Sequence, residues 1–326
     1  MFRRMLNRNV VIAIVIAGII CASSYYKTAI ADNALLSFPE SRDDANGTLP
    51  AEITTSIGIK LVLIPAGEYT ISYYTNIKTT YAPGVNADNI RDIIADIFTK
   101  TAKDMFNIQS FNPIESVSVD TKSRRVIISK PFYIGKYEIS QFQWKEIMGN
   151  NPSNFTNNLD NPVENITWDA AQEFVRRVNA KEGADIYRLP TAAEWIYAAR
   201  GGTQTKYYWI DEISEIDKYE WHGNNSGGRT HPVGMKLPNK WGVYDMLGNV
   251  HEWVQDWFSD EYYEDASVVI DPEVDPQGTD DGIYHTYCGG AWNVKQIFVD
   301  MKYPDFAYFR EPKDGTVGFR LAASVD

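Results

Sequence analysis

The chain has 326 residues, of which 44% are hydrophobic and 13% aromatic, and its formal net charge is −12 at pH 7. This composition supports a large buried core and excludes a chain that is disordered throughout. The acidic balance argues against nucleic-acid binding, which needs a basic face to neutralise phosphate groups. The length allows one large domain or two small ones.

The first 31 residues have the pattern of an export signal. Three arginines precede an apolar run over residues 10–23, and Ala29-Ile-Ala31 offers a small-residue cleavage site. We therefore expect a signal peptide over residues 1–31 and an exported protein, either periplasmic or extracellular. The alternative is an uncleaved segment in which residues 10–23 anchor the chain in the inner membrane. That anchor would be the protein's only membrane contact.

Cysteine is scarce, since only Cys21 and Cys288 occur. Cys21 lies within the predicted signal, so a cleaved chain keeps a single thiol. This count excludes an internal disulfide and a zinc or redox pair of cysteines in the mature protein.

The N-terminal third combines polar and apolar segments. Residues 32–56 are polar and without periodicity, which predicts a linker or arm. The apolar run from Ile59 to Ile64 predicts the first strand of the domain. Farther along, apolar residues at helical spacing predict an amphipathic helix over 89–104. The β-branched residues on both sides of 120–124 predict a hairpin.

Three helices should follow, each with a start signal. Ser140-Gln-Phe-Gln143 has the capping-box pattern, and its helix should end near Gly149. Thr167 can cap a second helix that ends at Gly183. Thr191-Ala-Ala-Glu194 repeats the capping box before a third. The later half is rich in Gly, Asn and Trp with little periodicity, which is typical of an α+β domain with long ordered loops.

The stretch from Trp241 to Trp253 combines polar oxygens with small and aromatic residues. Asp245, Asn249 and Glu252 could offer oxygen ligands to a hard cation. Gly248 lets the backbone turn a carbonyl inward where a Cβ would obstruct it. The alternative is a tight turn between two strands, with the tryptophans packed in the core.

The 241–253 stretch and six other motifs, taken in chain order, resemble the formylglycine-generating enzyme (sulfatase-modifying factor) family. The resemblance implies a variant of the C-type lectin fold, an α+β domain with low regular secondary structure, over residues 57–326. Residues 75–128 would be an insertion packed on that domain, or alternatively a partner-binding face. The six motifs are Leu61-Val-Leu-Ile-Pro-Ala-Gly-Glu68, Pro131-Phe-Tyr-Ile-Gly-Lys-Tyr-Glu-Ile-Ser140, Asn161-Pro-Val-Glu-Asn-Ile-Thr-Trp168, Tyr187-Arg-Leu-Pro-Thr-Ala-Ala-Glu-Trp195, Gly289-Gly-Ala-Trp-Asn293 and Gly318-Phe-Arg-Leu321.

The resemblance also implies one structural calcium ion in the 241–253 stretch. Its ligands would be the side chains of Asp245 and Glu252 and the main-chain carbonyls of Gly248 and Val250. We expect this ion to hold an irregular loop in place.

The family's oxidase centre is not matched. Family enzymes convert a substrate cysteine to formylglycine with two of their own cysteines, which bind copper. Val294 and Val299 stand at those positions, and Ala291 replaces the usual serine. Valine forms no thiolate and binds no soft metal, so we expect neither copper nor formylglycine generation. Cys288 is expected to be a small buried hydrophobe.

The four histidines, at positions 222, 231, 251 and 285, follow no spacing of a local zinc or iron motif. We expect each to have a structural or surface role. An iron centre built from histidines distant in sequence stays open at this point.

The segment after Trp292 lines the substrate groove in the family. Here it carries Asn293, Asp300, Tyr308 and Arg310, a mixture of polar and aromatic side chains that suits a ligand or peptide site. The alternative is an exposed loop.

We therefore expect an exported domain that binds an unidentified small molecule, protein or peptide in this groove, without cysteine-based redox chemistry. One alternative is a periplasmic oxidoreductase of non-cysteine mechanism, as in the relatives that mature the pyoverdine chromophore. Another is a recognition module with a diversified C-terminal loop.

Overall fold

The computed structural model describes the greater part of the chain, with the backbone alone over 72–81 and 114–122. No helix among the described residues combines the length and apolarity needed to cross a membrane. The predicted signal, the predicted helix over 89–104, and Val299, Asp300, Tyr308 and Arg310 lie outside the described residues. The described residues are 49–81, 114–205, 207–209, 213–258, 271–279, 281–282, 284–295 and 315–325.

Among the described residues, five strands precede the first helix and five follow the last one, and contacts divide the chain into two compact units. Ser72–Ser123 belong to one unit and Arg124–Asp326 to the other. In chain order the elements are β1 Glu52–Thr54, β2 Lys60–Ile64, β3 Gly67–Tyr81, β4 Ile114–Ile128, β5 Phe132–Gly135, α1 Gln141–Met148, α2 Trp168–Glu182, β6 Tyr187–Arg188, α3 Ala192–Arg200, a 3₁₀ turn Ile213–Glu215, α4 Ile216–Tyr219, β7 His251–Trp257, β8 Glu273–Val274, β9 His285–Cys288, β10 Val317–Phe319 and β11 Ala322–Ser324.

A five-stranded antiparallel sheet, in the order β1-β2-β5-β11-β6, carries the core. Successive side chains of a strand point to opposite faces. Leu61 therefore faces a cluster that contains Trp144 of α1 and Phe174 of α2, whereas Val62 faces a cluster that contains Trp195 of α3. Because helices cover both faces, β2 is an unbroken apolar run. The sequence did not predict strand β1. Its three residues pair with β2, although they lie within the arm expected over 32–56.

The three helices begin and end as their sequence signals predict. Both capping boxes are formed, from Ser140 and from Thr191, and the Thr167 side chain accepts from Ala170 N. Each helix ends at a glycine in the left-handed conformation, the residue type that adopts positive φ at little cost. The helix boundaries were thus readable from local sequence alone.

The hairpin predicted around residues 120–124 is wrong. Ile114–Ile128 form one continuous strand, β4, which neighbours β3 on one side and β8 on the other. The segment Asp120-Thr-Lys-Ser-Arg124 lacks the Gly or Asn that a tight hairpin turn requires. Strand pairing therefore continues through it.

A second sheet, in the order β10-β7-β9, presents the candidate site. Strand β7 pairs in parallel with β10 and antiparallel with β9, so Glu252 lies opposite both Gly318 and Cys288. A Cβ at Gly318 would lie 2.4 Å from the carbonyl oxygen of Val163, so only glycine allows this close approach. The Cys288 side chain is fully buried, as expected.

Asp256, near the end of β7, joins this sheet to α3. Its Oδ2 accepts a hydrogen bond of 2.7 Å from Ala192 N, the first amide of α3. Burial is the main cause that raises the pKa of Asp256 from 3.8 to about 7, against the opposing effect of the Ala192 amide. The folded protein therefore holds a proton here over a pH range in which the unfolded chain has lost it.

We predict that Asp256→Asn removes a pH-dependent part of the stability. The stabilisation from the raised pKa is fully present below about pH 4 and is lost as pH rises through about 7. Asparagine resembles the protonated acid and does not titrate. The variant should therefore gain stability relative to the wild type between pH 4 and pH 8, by at most about 4 kcal/mol.

Urea unfolding at several pH values measures this difference, with the exposed Asp160→Asn as the matched control. If the difference in the free energy of unfolding between the wild type and Asp256→Asn does not change with pH, the raised pKa of Asp256 is contradicted.

Candidate functional site

The turn that leads into β7 packs tightly against residues 220–221. Asp245 and Asn249 adopt left-handed backbone conformations, with φ of 57° and 63°. Asn249 N donates a hydrogen bond of 2.8 Å to Trp221 O. A Cβ at Gly248 would lie 2.5 Å from the same Trp221 oxygen, so a glycine is required at this position.

Asn249 connects this turn to several other segments of the chain through hydrogen bonds. Its Nδ2 donates to Glu138 Oε2 at 2.7 Å, and its Oδ1 accepts from His231 N at 3.0 Å. The other carboxylate oxygen of Glu138 accepts from Val250 N at 3.1 Å. Trp292 N donates to Asn249 O at 2.8 Å. The turn and the Gly-Gly-Ala-Trp motif are therefore held by the same buried asparagine.

Glu252 forms a buried, two-point ion pair with Arg320. Arg320 Nε and Nη2 each donate to a different oxygen of Glu252 at 2.6 Å, and neither side chain has any exposed surface. Arg320 also donates to the carbonyls of Gly135 and Tyr244, at 2.8 and 2.9 Å. Trp195 Nε1 donates to Glu252 Oε2 at 2.7 Å. Both oxygens of Glu252 are thus engaged.

The turn buries more negative than positive charge. Glu138, Glu220, Asp245 and Glu252 are each at most 1% exposed, and Arg320 is the fully buried cation among them. Burial, followed by the charge of Asp245, raises the pKa values of Glu138 and Glu220 well above the usual range. Burial also raises the pKa of Asp245 to about 6. Ionising all of these carboxyls requires a further positive charge.

Two of these carboxyls keep an oxygen without a hydrogen-bond partner among the described residues. Asp245 Oδ2 accepts from Gly234 N at 2.6 Å, but Oδ1 has no partner. Glu220 Oε1 accepts from Tyr208 Oη at 2.6 Å and from Leu247 N at 2.9 Å, but Oε2 has none. An unpaired buried polar atom is costly, so these two oxygens require an explanation.

The donors expected for calcium fit this turn in part. Asp245, Gly248, Val250 and Glu252 lie within one short segment, and Asp245 Oδ1 suits a hard cation. Glu252 does not fit, because Arg320 and Trp195 already take both of its oxygens. Across the part of the chain that the structure describes, no three Asp, Glu, His or Cys side chains form a group that could hold a metal ion.

Trp292, in the Gly-Gly-Ala-Trp motif, is half-buried. Its indole Nε1 donates to Gly315 O at 2.9 Å, and its ring meets Phe155 edge-on at 5.2 Å. Asn293 is exposed. Val294 is half-buried and packs against the core cluster that contains Trp195. Of the predicted groove residues, the structure describes only Trp292 and Asn293.

The four histidines have structural partners, as expected. Each ring either stacks on a tryptophan or bonds to a neighbouring oxygen. His231 stacks on Trp221 at 3.7 Å, His285 stacks on Trp168 and Trp257 at 3.7 Å each, His222 Nε2 lies 2.8 Å from Asp217 Oδ1, and His251 Nδ1 lies 2.7 Å from Gly289 O.

Three residues that shape the site were not singled out from the sequence. Glu138, Glu220 and Arg320 each stand between apolar or aromatic neighbours, as in Phe319-Arg-Leu321. A charged residue inside an apolar run must be paired when it is buried. That local signal could have identified them as buried polar positions, although it could not name their partners.

We predict that Arg320→Met destabilises the protein by about 3–5 kcal/mol, because it leaves Glu252 buried without its counter-charge. The double variant Arg320→Met/Glu252→Gln should recover a substantial part of the loss, since no unpaired charge remains. Denaturant unfolding of the wild type, both single variants and the double variant gives the coupling energy. Additive losses would contradict a direct interaction.

Comparison with known proteins agrees with this architecture. The model of the sulfatase-modifying factor enzyme 1-like domain matches residues 60–325. The chaperone protein LppX of Paenibacillus barcinonensis is 30% identical over 236 residues, which cover 57% of this chain and 78% of the chaperone. The formylglycine-generating enzyme of Streptomyces coelicolor is 32% identical over 189 residues. These cover 53% of this chain and 56% of the enzyme, so the chain spans about half of that relative.

Two solved structures share the fold. Treponema denticola variable protein 1 superposes with a TM-score of 0.59 at 24% identity, covering 84% of this chain and 99% of that protein. PvdO of Pseudomonas aeruginosa superposes with a TM-score of 0.58 at 20% identity, covering 85% of this chain and all of PvdO. Both confirm the predicted α+β, C-type-lectin-like fold. On the family match, this chain belongs to the sulfatase-modifying factor enzyme 1-like domain family.

Proposed function

We propose that this protein is an exported binding domain that uses the surface around Trp292 to hold a protein or peptide partner, without cysteine-based oxidation. The observation that carries this proposal is the side-by-side placement of Trp292, Asn293 and Val294. Trp292 holds its aromatic ring in a fixed position, and Asn293 is exposed. Val294 packs against the core, at the position where the family resemblance implies a cysteine in the enzymes.

Trp292 is held rigidly enough to act as a binding anchor. Its main-chain N donates to Asn249 O, its main-chain O accepts from Ser226 Oγ at 2.7 Å, and its ring donates to Gly315 O. An aromatic side chain fixed before binding loses little conformational entropy when a partner docks. Tryptophan is also among the residues most often found at binding hot spots.

The class of partner is inferred from the relatives and from charge. A relative named as a chaperone supports a protein partner over a small molecule. The net charge of −12 favours a neutral or basic segment, since charge complementarity speeds encounter and suppresses wrong partners. Export rests on the signal pattern of residues 1–31.

The absence of a suitable thiol argues against formylglycine chemistry. Cys288 has no exposed surface, whereas a reactive cysteine needs access and a stabilised thiolate. Val294 lies half-buried against the core cluster that contains Trp195. Copper, a soft metal that is typically held by thiolates, is accordingly not part of the proposed mechanism.

We predict that a photo-crosslinking amino acid at position 293 captures a discrete partner from the exported fraction of the native host. The same amino acid at the exposed Glu146, on α1, is the control and should capture none. Lys295→Glu should increase the yield of the adduct at position 293, because it replaces a positive charge by a negative one beside a basic partner segment. Immunoblotting and mass spectrometry detect the adducts.

Identical adducts at both positions, or an adduct at 293 that Lys295→Glu weakens, would contradict the proposed surface. The melting temperature of each variant shows that the fold is retained.

We also predict that the purified protein, loaded with copper(I), leaves the cysteine of a sulfatase-type peptide unoxidised, because neither valine can activate the thiol. Mass spectrometry of the peptide distinguishes the aldehyde from the thiol. The enzyme of Streptomyces coelicolor is the positive control. Aldehyde formation by this protein at the rate of the control would refute the non-oxidase assignment.

A further inference from the structure

We propose that an apolar strip formed by Phe142, Leu159, Met235 and Leu237 docks on an anionic lipid bilayer. These residues lie on other segments of the chain than Trp292 and Asn293, and the inference does not depend on the partner-binding proposal. It adds a second membrane contact to the one that residues 10–23 would make if they stay uncleaved.

The first observation is that exposed apolar side chains are concentrated in this strip. Among the described residues, five large hydrophobic side chains are exposed, and only Val274 of β8 lies elsewhere. Single exposed hydrophobic residues are normal at a protein surface, whereas a group of them marks an interaction site. The exposed fractions are 48% for Phe142, 40% for Leu159, 61% for Met235 and 50% for Leu237.

Two main-chain hydrogen bonds hold the segments of the strip side by side. Phe142 N, in the first turn of α1, donates to Leu159 O at 2.9 Å. The next carbonyl, that of Asp160, accepts from Val233 N at 3.0 Å. Met235 follows Val233 by two residues. The helix start and the 233–237 loop are therefore joined through the same short segment.

The loop that carries Met235 and Leu237 is fixed in the folded chain. The ammonium of Lys236 lies 3.8 Å from the centre of the Trp221 ring. Leu237 N donates to Lys218 O at 3.0 Å. Lys236 is thus directed toward Trp221, while the apolar side chains before and after it remain exposed. The strip is formed before any partner docks, so docking costs little conformational entropy.

The charges beside the strip suit anionic head groups. Segments 136–148, 157–160 and 229–240 carry five basic and two acidic side chains that are not buried, although the chain as a whole has a net charge of −12. Basic side chains next to inserted apolar ones favour a bilayer that contains anionic lipid. The basic residues are Lys136, Lys145, Arg229, Lys236 and Lys240, and the acidic ones are Glu146 and Asp160.

The N-terminal end of the described chain lies beside the same segments. Lys136 Nζ donates to Glu52 Oε2 at 2.7 Å, and Gln143 Nε2 of α1 donates to Gly58 O at 3.1 Å. Glu52 begins β1, the first strand. A chain tethered by residues 10–23 would thus enter the domain next to the strip, so both membrane contacts can form at once.

The test places a polarity-sensitive NBD fluorophore at position 235 of the full chain. The label is attached through Met235→Cys in a Cys21→Ser background, in which the remaining Cys288 is fully buried. The vesicles contain phosphatidylglycerol and phosphatidylcholine in equal parts. We expect them to raise the emission at least about threefold, because the label enters the apolar part of the bilayer. A nitroxide-labelled lipid should then quench it.

Two matched variants separate docking of the strip from general proximity to the bilayer. Val274→Cys carries the same label at an apolar position that is 54% exposed but lies on β8, and its emission should stay unquenched. Lys145→Gln/Lys240→Gln, added to Met235→Cys, should lower the quenching at least about twofold, because two basic side chains are lost. The substituted side chains are exposed, and the melting temperature shows that each variant is folded.

Three results would overturn the proposal. Equal quenching at positions 235 and 274 would show that the strip does not face the bilayer. Equal quenching in vesicles of phosphatidylcholine alone would remove the role of anionic lipid. Emission at position 235 that rises with protein concentration when no vesicles are present would identify a second copy of the chain as the occupant.

Discussion

The ion pair between Glu252 and Arg320 determines how the rest of the site is arranged. Both groups are fully buried, and removing two charges from water costs as much as their attraction returns, or more. The pair therefore contributes more to the arrangement of the chain than to stability. The Arg320 guanidinium donates hydrogen bonds to Glu252 of β7, to Gly135 at the end of β5 and to Tyr244 in the turn. Because Arg320 lies between β10 and β11, these bonds align the two sheets.

Because Glu252 is paired with Arg320, the other buried carboxyl groups must be stabilised by other partners. Glu138 accepts hydrogen bonds from the Asn249 side chain and from Val250 N. The main-chain carbonyl of Asn249 in turn accepts from Trp292 N. Glu220 and Asp245 lack such donors on one oxygen each, and burial raises both pKa values. Burial therefore disfavours the ionised form of both groups. Asn249 lies in the same turn as Asp245, and its bond to Trp292 N means that the turn also positions Trp292.

Local signals in the sequence predicted local structure well. The capping boxes at Ser140 and Thr191 depend on neighbours three residues away, and the structure agrees with both. The pairing of Glu252 with Arg320 spans 68 residues, and no local pattern encodes it. Glu220 was overlooked because a glutamate beside aromatic residues resembles a helix-end surface residue until its burial is known. No hairpin forms at 120–124, because this segment lacks the residues of a tight turn and its flanking β-branched residues favour a continuous strand.

The packing of Val294 determines how the loop after Trp292 is held. A reactive thiol must face its substrate, but a valine is most stable where it is buried. Val294 packs on the core cluster around Trp195, and its carbonyl accepts from Gly223 N at 2.7 Å. The loop is therefore anchored at Val294. Its neighbours Asn293 and Lys295 are exposed, and they are the described side chains on which the proposed binding surface depends.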